Sequence, residues 1–359
     1  IDVYYFAGTR QNSVLWIPVA GEPLLLVRKS FTRAKMESTV ADIRPFPSSK
    51  EFPALFHPDV RKIGVTYDVL PMQQYNYYAK LLAGRELVDI SGINREVRSV
   101  KSAWELTQLQ ESARKLCGVF EQVPQFLKAG MRELDLAAEF EYRLRKAGNE
   151  GYLRMRAFNQ ELFQGLVVST TAGLPGFFDG AVTGGGLSTA SPHGASTAEI
   201  VENMPIIVDF AGVFNGYIVD MTRIFVVGSL DAELKHAFAA SLAIQQYLVE
   251  NLKPGAICEE LFLKAAEMAA EAGLEKNFMG APGENARFVG HGVGLELDEF
   301  PVLAQGFKVP LQAGQTIAIE PKFVIPGHGV IGIENTFAVS DKGGIKLTEL
   351  ADDVVYLQA

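Results

Sequence analysis

Cysteine is nearly missing from this chain of 359 residues: Cys117 and Cys258 are the two it has, and both fall inside helical patterns. That usage excludes a disulfide-stapled fold and is the usage of a reducing, cytoplasmic compartment. Long apolar runs are absent too; none approaches the roughly 18 residues of a membrane helix, and no basic start precedes a small-residue cleavage site. Clusters of Lys and Arg are lacking, and the net charge is −9, which argues against nucleic acid as the main partner. What is present, 48% hydrophobic and 21% charged residues, is the composition of a globular protein of one large or two ordinary domains. The first residues, IDVYYFAGT, read as the middle of a fold, so a natural start upstream is expected.

The most informative stretch is 206–227, IIVDFAGVFNGYIVDMTRIFVV. Two runs of β-branched and aromatic residues flank Asn215-Gly216, a dipeptide that tolerates the positive φ angles of a type I′ turn. With those two as the turn, Phe214 pairs with Tyr217, Ala211 with Asp220 and Asp209 with Thr222. Strand side chains alternate, so Asp209 and Asp220 become diagonal neighbours on one face, roughly 7–8 Å apart at the backbone. Two carboxylates aimed into one apolar spot repel each other and cost several kcal/mol to desolvate unless a cation lies between them. A lone hairpin of this kind could equally turn one Asp to solvent. A second hairpin changes the balance: residues 316–320 (TIAIE) and 330–340 (VIGIENTFAVS) are strand-like, joined through PKFVIPGHG, and hold Glu320 and Glu334.

Residues 1–97 alternate short strands with turns around a Tyr-rich helical segment at 72–83, a small α/β unit in which His57 reads as a surface residue. Ser102 with Glu105 three residues on has capping-box spacing, and the domain boundary is placed just before it, giving 1–97 and 98–359. The second part repeats itself. Gly130 and Gly148 bracket one helix, Gly255 and Gly273 another, at a constant offset of 125 residues that continues from Phe163 and Gly165 to Phe288 and Gly290. Each half reads helix, helix, strand, carboxylate hairpin, which predicts an internal duplication with the hairpins meeting near a pseudo-two-fold axis.

The second half adds His291 in a Gly-His-Gly-Val-Gly run, where glycines let backbone approach closely and leave the imidazole unhindered. Asp209, Asp220, His291, Glu320 and Glu334 form a set of hard oxygen donors with one nitrogen. That suits manganese, cobalt, iron or zinc better than a thiolate site. Four acids exceed the needs of one divalent ion; two ions about 3.5–4 Å apart, bridged by carboxylates, would balance them and hold a bridging water of lowered pKa.

In order and spacing these five residues resemble the metal ligands of the pita-bread metallopeptidases: methionine aminopeptidase, aminopeptidase P and prolidase. The N-terminal unit narrows the likeness to the creatinase, aminopeptidase P and prolidase branch, over nearly the whole chain. The resemblance implies an α/β (α+β) protein with a creatinase-like N-terminal domain and a pita-bread catalytic domain. It also implies two metal ions, with Asp209 chelating one, Asp220 and Glu334 bridging, His291 binding the other, and Glu320 completing the site as general base. His193, in Ser191-Pro192-His193-Gly194, matches the histidine that contacts substrate in this family; its plain alternative is a loop histidine after the glycines at 184–186, a run with no helix behind it and so no phosphate loop.

Two positions depart from the family. Its peptidases carry a second histidine seven residues after the ligand histidine, where this chain has Asp298; an ionised carboxylate accepts but does not donate, so Asp298 fills that catalytic role only if protonated. An arginine commonly stands two residues before the last glutamate, where this chain has Gly332; His328 lies near in sequence without a reason to replace it. The expected activity is that of a cytoplasmic, homodimeric dinuclear hydrolase of the Xaa-Pro peptidase type, with a short peptide as its partner and neither nucleic acid nor membrane. The alternatives are a relative turned to a small amide, amidine or carboxylate, and a binding scaffold without catalysis.

Overall fold

The structure is a computed structural model that describes residues 1–156 and 164–358. Phe163, one point of the sequence repeat, lies outside the described residues. The chain divides into two compact units, Ile1–Arg95 and Glu96–Ala359.

In the first unit, α1 (Asp2–Ala7), β1 (Ser13–Trp16), β2 (Leu24–Val27), α2 (Phe31–Glu37) and β3 (Asp42–Pro45) precede β4 (Lys62–Val65), α3 (Met72–Leu81) and β5 (Glu86–Asp89). The helix α4 (Ser91–Ser99) runs through the division between the units. β2 is central in the sheet β1-β2-β3 and is buried along its whole length. Its period-two alternation explains why the run LLLV is apolar throughout: Leu25 and Val27 pack with Ala7 and Ala34, while Leu24 and Leu26 pack with Phe52, Phe56 and Ile63. The short α1, α2 and β3 carry too little periodicity to be read from sequence.

The second unit opens with α5 (Ala103–Phe120), capped as its sequence predicts: the Ser102 hydroxyl accepts from the Glu105 N–H, and the Glu105 carboxylate accepts from the Ser102 N–H. α6 (Glu133–Lys146), β6 (Gly165–Val168), β7 (Ile206–Phe214), β8 (Tyr217–Val227), α7 (Ala232–Asn251) and α8 (Cys258–Glu271) follow. The bounds of α6 and α8 are both displaced by the 125 residues of the sequence repeat. The remaining strands are β9 (Phe288–Gly292), β10 (Glu299–Ala304), β11 (Thr316–Ile319), β12 (Lys322–Ile325), β13 (Gly329–Gly332), β14 (Asn335–Ser340), β15 (Gly343–Lys346) and β16 (Val355–Leu357).

β7 and β8 form the expected hairpin: Phe214 opposes Tyr217, Ala211 opposes Asp220 and Asp209 opposes Thr222, with Asn215 at φ 50° and Gly216 at φ 82° in the turn. It lies in a four-stranded sheet ordered β16-β8-β7-β6. One face meets the first helix pair: Phe210 stacks on Phe140 of α6, ring centroids 4.2 Å apart, and Gly212 lies against Leu116 of α5. The opposite face carries Ile207 and Ile224 into the main core, together with Ile317, Ile319 and Phe337, Ile244 and Leu248 of α7, and Leu261 of α8. Asp209 and Asp220 share that second face.

The second carboxylate hairpin is built differently from its sequence reading. β11 pairs with β14 within the sheet β10-β9-β11-β14-β15, but a separate two-stranded ribbon of β12 and β13 is inserted between them. The expected strand 330–340 is thus two strands, broken at Ile333 and Glu334, and the expected connection begins as β12. Pro321 supplies the reason, because it cannot donate to a continuing ladder and the chain leaves the sheet there. Ile319 opposes Asn335, which sets Glu320 and Glu334 just past the last rung. Among the described residues no helix is long and apolar enough to cross a membrane.

Close packing behind Asp209 makes a stability prediction. A methyl group on Gly165 would lie 2.2 Å from the Asp209 carbonyl oxygen and 2.3 Å from the Phe210 ring. Gly165→Ala is expected to destabilise by about 1–3 kcal/mol through overpacking; a melting temperature equal to that of the parent would show that the sheet yields there at no cost.

Candidate metal centre

The two hairpins and β9 bring the five sequence-predicted ligands to one cleft of about 350 Å³. Asp209 and Asp220 come from the inner face of β7 and β8, His291 from β9, Glu320 from the residue after β11 and Glu334 from the residue before β14. Asp220, His291, Glu320 and Glu334 are buried. Asp220, His291 and Glu334 each offer a ligand atom, all within 4.8 Å of one another.

His291 is oriented for this role. Its Nδ1 faces the Leu297 carbonyl at 3.1 Å and the Asp298 carboxylate at 3.2 Å, which assigns the ring proton to Nδ1. Nε2 then presents its lone pair toward Glu320 Oε1 at 3.6 Å and Glu334 Oε1 at 4.0 Å. Asp298 is half-exposed in the cleft lining, its carboxylate 3.2 Å from His291 Nδ1. The glycines around His291 answer to packing. A Cβ on Gly290 would lie 2.6 Å from the Ala318 carbonyl, and on Gly294 2.6 Å from the Glu299 carboxylate. Glu299 is buried in that loop, accepting from the Leu295 N–H at 2.9 Å and paired with Lys101 at 2.9 Å and with Arg98.

Sequence reading passed over the residue at the middle of the site. The Lys322 ammonium lies 2.8 Å from Asp209 Oδ2, 2.8 Å from Glu320 Oε2 and 3.0 Å from Glu334 Oε2. Its side chain is 3% exposed. Burial alone would lower its pKa, but the carboxylates of Asp209, Glu320 and Glu334 outweigh burial and hold it well above the ordinary lysine value. Burial, then the neighbouring acids, push Asp220 well above the usual carboxylate range; Asp209 is also raised, by burial and Glu334, against the pull of Lys322. The signal that could have found Lys322 is a single cation opening an otherwise apolar strand, KFVI, two residues after a candidate ligand.

His193 lines the same cleft, its ring stacked on Phe177 at 5.4 Å with an interplanar angle of 5°. Its loop is tied down by the buried Glu133 at the start of α6, whose carboxylate accepts from the Ser169 N–H at 2.6 Å and the Ser196 hydroxyl at 2.6 Å. Behind Glu334, the fully buried Arg223 donates to the Glu334 carbonyl at 2.9 Å, to Asn335 Oδ1 at 2.8 Å and to Asp352 at 3.1 Å. His57 and His328 have no place in the cleft lining; His328 pairs at the surface with Asp231 at 2.7 Å.

The donor set fits a divalent ion at Asp220, His291 and Glu334, where carboxylates and an imidazole meet. The space among Asp209, Glu320 and Glu334 holds an ammonium group instead.

Comparison with known proteins bears on the same site. Residues 107–341 match the model for metallopeptidase family M24, and residues 1–100 match that for the creatinase/prolidase N-terminal domain. A Xaa-Pro dipeptidase of Pyrococcus furiosus is 26% identical over 354 residues, 97% of this chain and 91% of that protein. Among solved structures, a prolidase from Pyrococcus furiosus superposes with a TM-score of 0.77 at 25% identity, covering 98% of this chain and 94% of that one. An X-Pro aminopeptidase from Thermotoga maritima gives a TM-score of 0.82 at 23% identity, over 99% and 93%, a likeness of fold.

Arg223→Met would leave the Glu334 carbonyl, Asn335 and Asp352 without their buried cation. The expected loss is about 3 kcal/mol, read by urea unfolding; a parent-like midpoint would mean that this network does not hold Glu334.

Proposed function

The chain belongs to metallopeptidase family M24, in its creatinase and prolidase branch, and from that premise we propose that it hydrolyses the N-terminal bond of short peptides with proline after the scissile bond. The observation that carries the proposal is the convergence of Asp220, His291 and Glu334 at one end of a cleft that also presents His193. Leu166, Phe178, Phe288 and Val302 give the cleft an apolar wall suited to a pyrrolidine ring, and its volume of about 350 Å³ suits two or three residues.

Asp220, His291 and Glu334 would hold a divalent ion, which would supply Lewis acidity at that end of the cleft. Glu320 is the group placed to take a proton from an attacking water and return it to the leaving amine. The Lys322 ammonium, 2.8 Å from Glu320 Oε2, fixes the position of that carboxylate. His193 orients the substrate from the cleft wall. Among the described lining residues, His193 and His291 are the imidazoles, so His193 alone can act as an imidazole donor toward substrate. The enzyme so proposed is cytoplasmic and homodimeric, a setting suited to its two free buried thiols, Cys117 and Cys258.

Lys322, Asp298 and Gly332 together favour a second reading, hydrolysis of a small amide or amidine, because they alter the charge beside the substrate while leaving the Asp220, His291 and Glu334 group intact.

Hydrolysis of a panel of Xaa-Pro dipeptides and tripeptides, with manganese or cobalt added, tests the first reading. Activity is expected to vanish with chelator and return with metal. His193→Ala and Glu320→Gln are each expected to lower kcat/KM by about 10²-fold or more with the fold intact by circular dichroism. A metal-loaded protein inert toward every peptide would end this reading, and turnover of simple amides by the same sample would establish the second.

A further inference from the structure

We propose that Lys322 is a built-in cation standing where the family resemblance implies a second metal ion, so that the site takes a single divalent ion at Asp220, His291 and Glu334. The inference rests on the metal-dependent reading above and concerns how many ions that reading needs.

The carboxylate oxygens are already divided between the Lys322 ammonium and the imidazole side of the cleft. Glu334 gives Oε2 to Lys322 at 3.0 Å and turns Oε1 toward His291 Nε2 at 4.0 Å. Glu320 does the same, with Oε2 on Lys322 at 2.8 Å and Oε1 3.6 Å from His291 Nε2. Asp209, the acid that would chelate an ion of its own, gives Oδ2 to Lys322 at 2.8 Å. Glu334 and Glu320 thus each face an ammonium on one side and the imidazole side of the cleft on the other. The Glu334 oxygen is further engaged by the Thr222 hydroxyl at 2.7 Å, so both its acceptor directions are taken. A transition ion bonds carboxylate oxygen at about 2.0–2.2 Å. It would therefore have to occupy the volume of the ammonium itself to reach Asp209 and these same oxygens.

The backbone shows why a lysine can enter. Lys322 opposes Gly332 across the ribbon of β12 and β13. A Cβ on residue 332 would lie 2.7 Å from both Cα and Cγ of Lys322 and 2.6 Å from the Pro321 carbonyl. A side chain there would meet both the lysine stem and the backbone of Pro321 and Lys322, so the arginine that the family commonly carries at this position does not fit beside Lys322 in this ribbon. Lys322 and Gly332 are one paired change. It exchanges a cation on β13 for a cation on β12 that reaches among the carboxylates.

Manganese counting tests this. The parent, Lys322→Gly, Lys322→Met and the pair Lys322→Gly/Gly332→Arg are saturated with manganese(II), passed through a desalting column and analysed for metal by mass spectrometry. About one ion per chain is expected in the parent and about two in Lys322→Gly and in the paired variant, as a bridged two-ion site requires. Electron paramagnetic resonance of the manganese-loaded parent needs no variant to fold: the hyperfine pattern of an isolated ion is expected. Two ions in the parent, an exchange-coupled signal, or a folded Lys322→Gly with the parent's count would each overturn the inference and leave the hydrolase reading standing. A parent that retains no ion and hydrolyses nothing would overturn both.

Discussion

Four carboxylates share one largely buried, strand-built pocket, and they can be ionised together only with positive charge among them. Burial and mutual repulsion raise Asp209 and Asp220 above the ordinary carboxylate range, and a buried ion without a partner costs several kcal/mol. In the metal-binding arrangement that the sequence implies, divalent ions meet that cost. Here an ammonium group meets part of it from inside the chain: Lys322 touches three of the four acids at 2.8–3.0 Å. A crowd of acids is therefore not by itself a count of metal ions, because a lysine carried on the neighbouring strand answers the same electrostatic demand.

The pocket is held open by charged groups that are themselves buried. Arg223, on the β8 strand that supplies Asp220, donates to the Glu334 carbonyl and to Asn335, so one guanidinium ties β8 to the start of β14 in a different sheet. Glu133 performs a similar task for the loop bearing His193, and Glu299, with Arg98 and Lys101, for the glycine loop beyond His291. These networks contribute little net free energy, since desolvation offsets most of the attraction. Their effect is on position: the ligands sit on strands and strand ends whose neighbours leave them few alternatives.

Local chemistry made a large part of this legible. Asn215-Gly216 sets the turn and hence the register of β7 and β8, which alone puts Asp209 and Asp220 on one face. Ser102 and Glu105 mark the start of α5. The paired glycines 125 residues apart mark the ends of α6 and α8, whose bounds repeat at that interval. In the first unit the four-residue strands β1, β2, β4 and β5 were legible as apolar runs between turns, whereas α1, α2 and β3 were not. The strand β12 was missed for a different reason: Pro321 and the glycines of its turn read as a connection, and a connection is taken to be solvated. Lys322 was lost with it.

The sequence by itself determined the register of the β7–β8 hairpin, the repeat of α6 and α8, the five candidate ligands in order, and the residues at Asp298 and Gly332, because each depends on residues a few positions apart or on fixed strand alternation. Only the tertiary structure decided which cation those acids meet. Lys322 is 113 residues from Asp209 along the chain, and its effect depends on the side chain of β12 threading past Gly332 into a pocket walled by other strands. A charge acts over a few ångströms whatever the sequence separation, so its partners become visible only when the chain is folded.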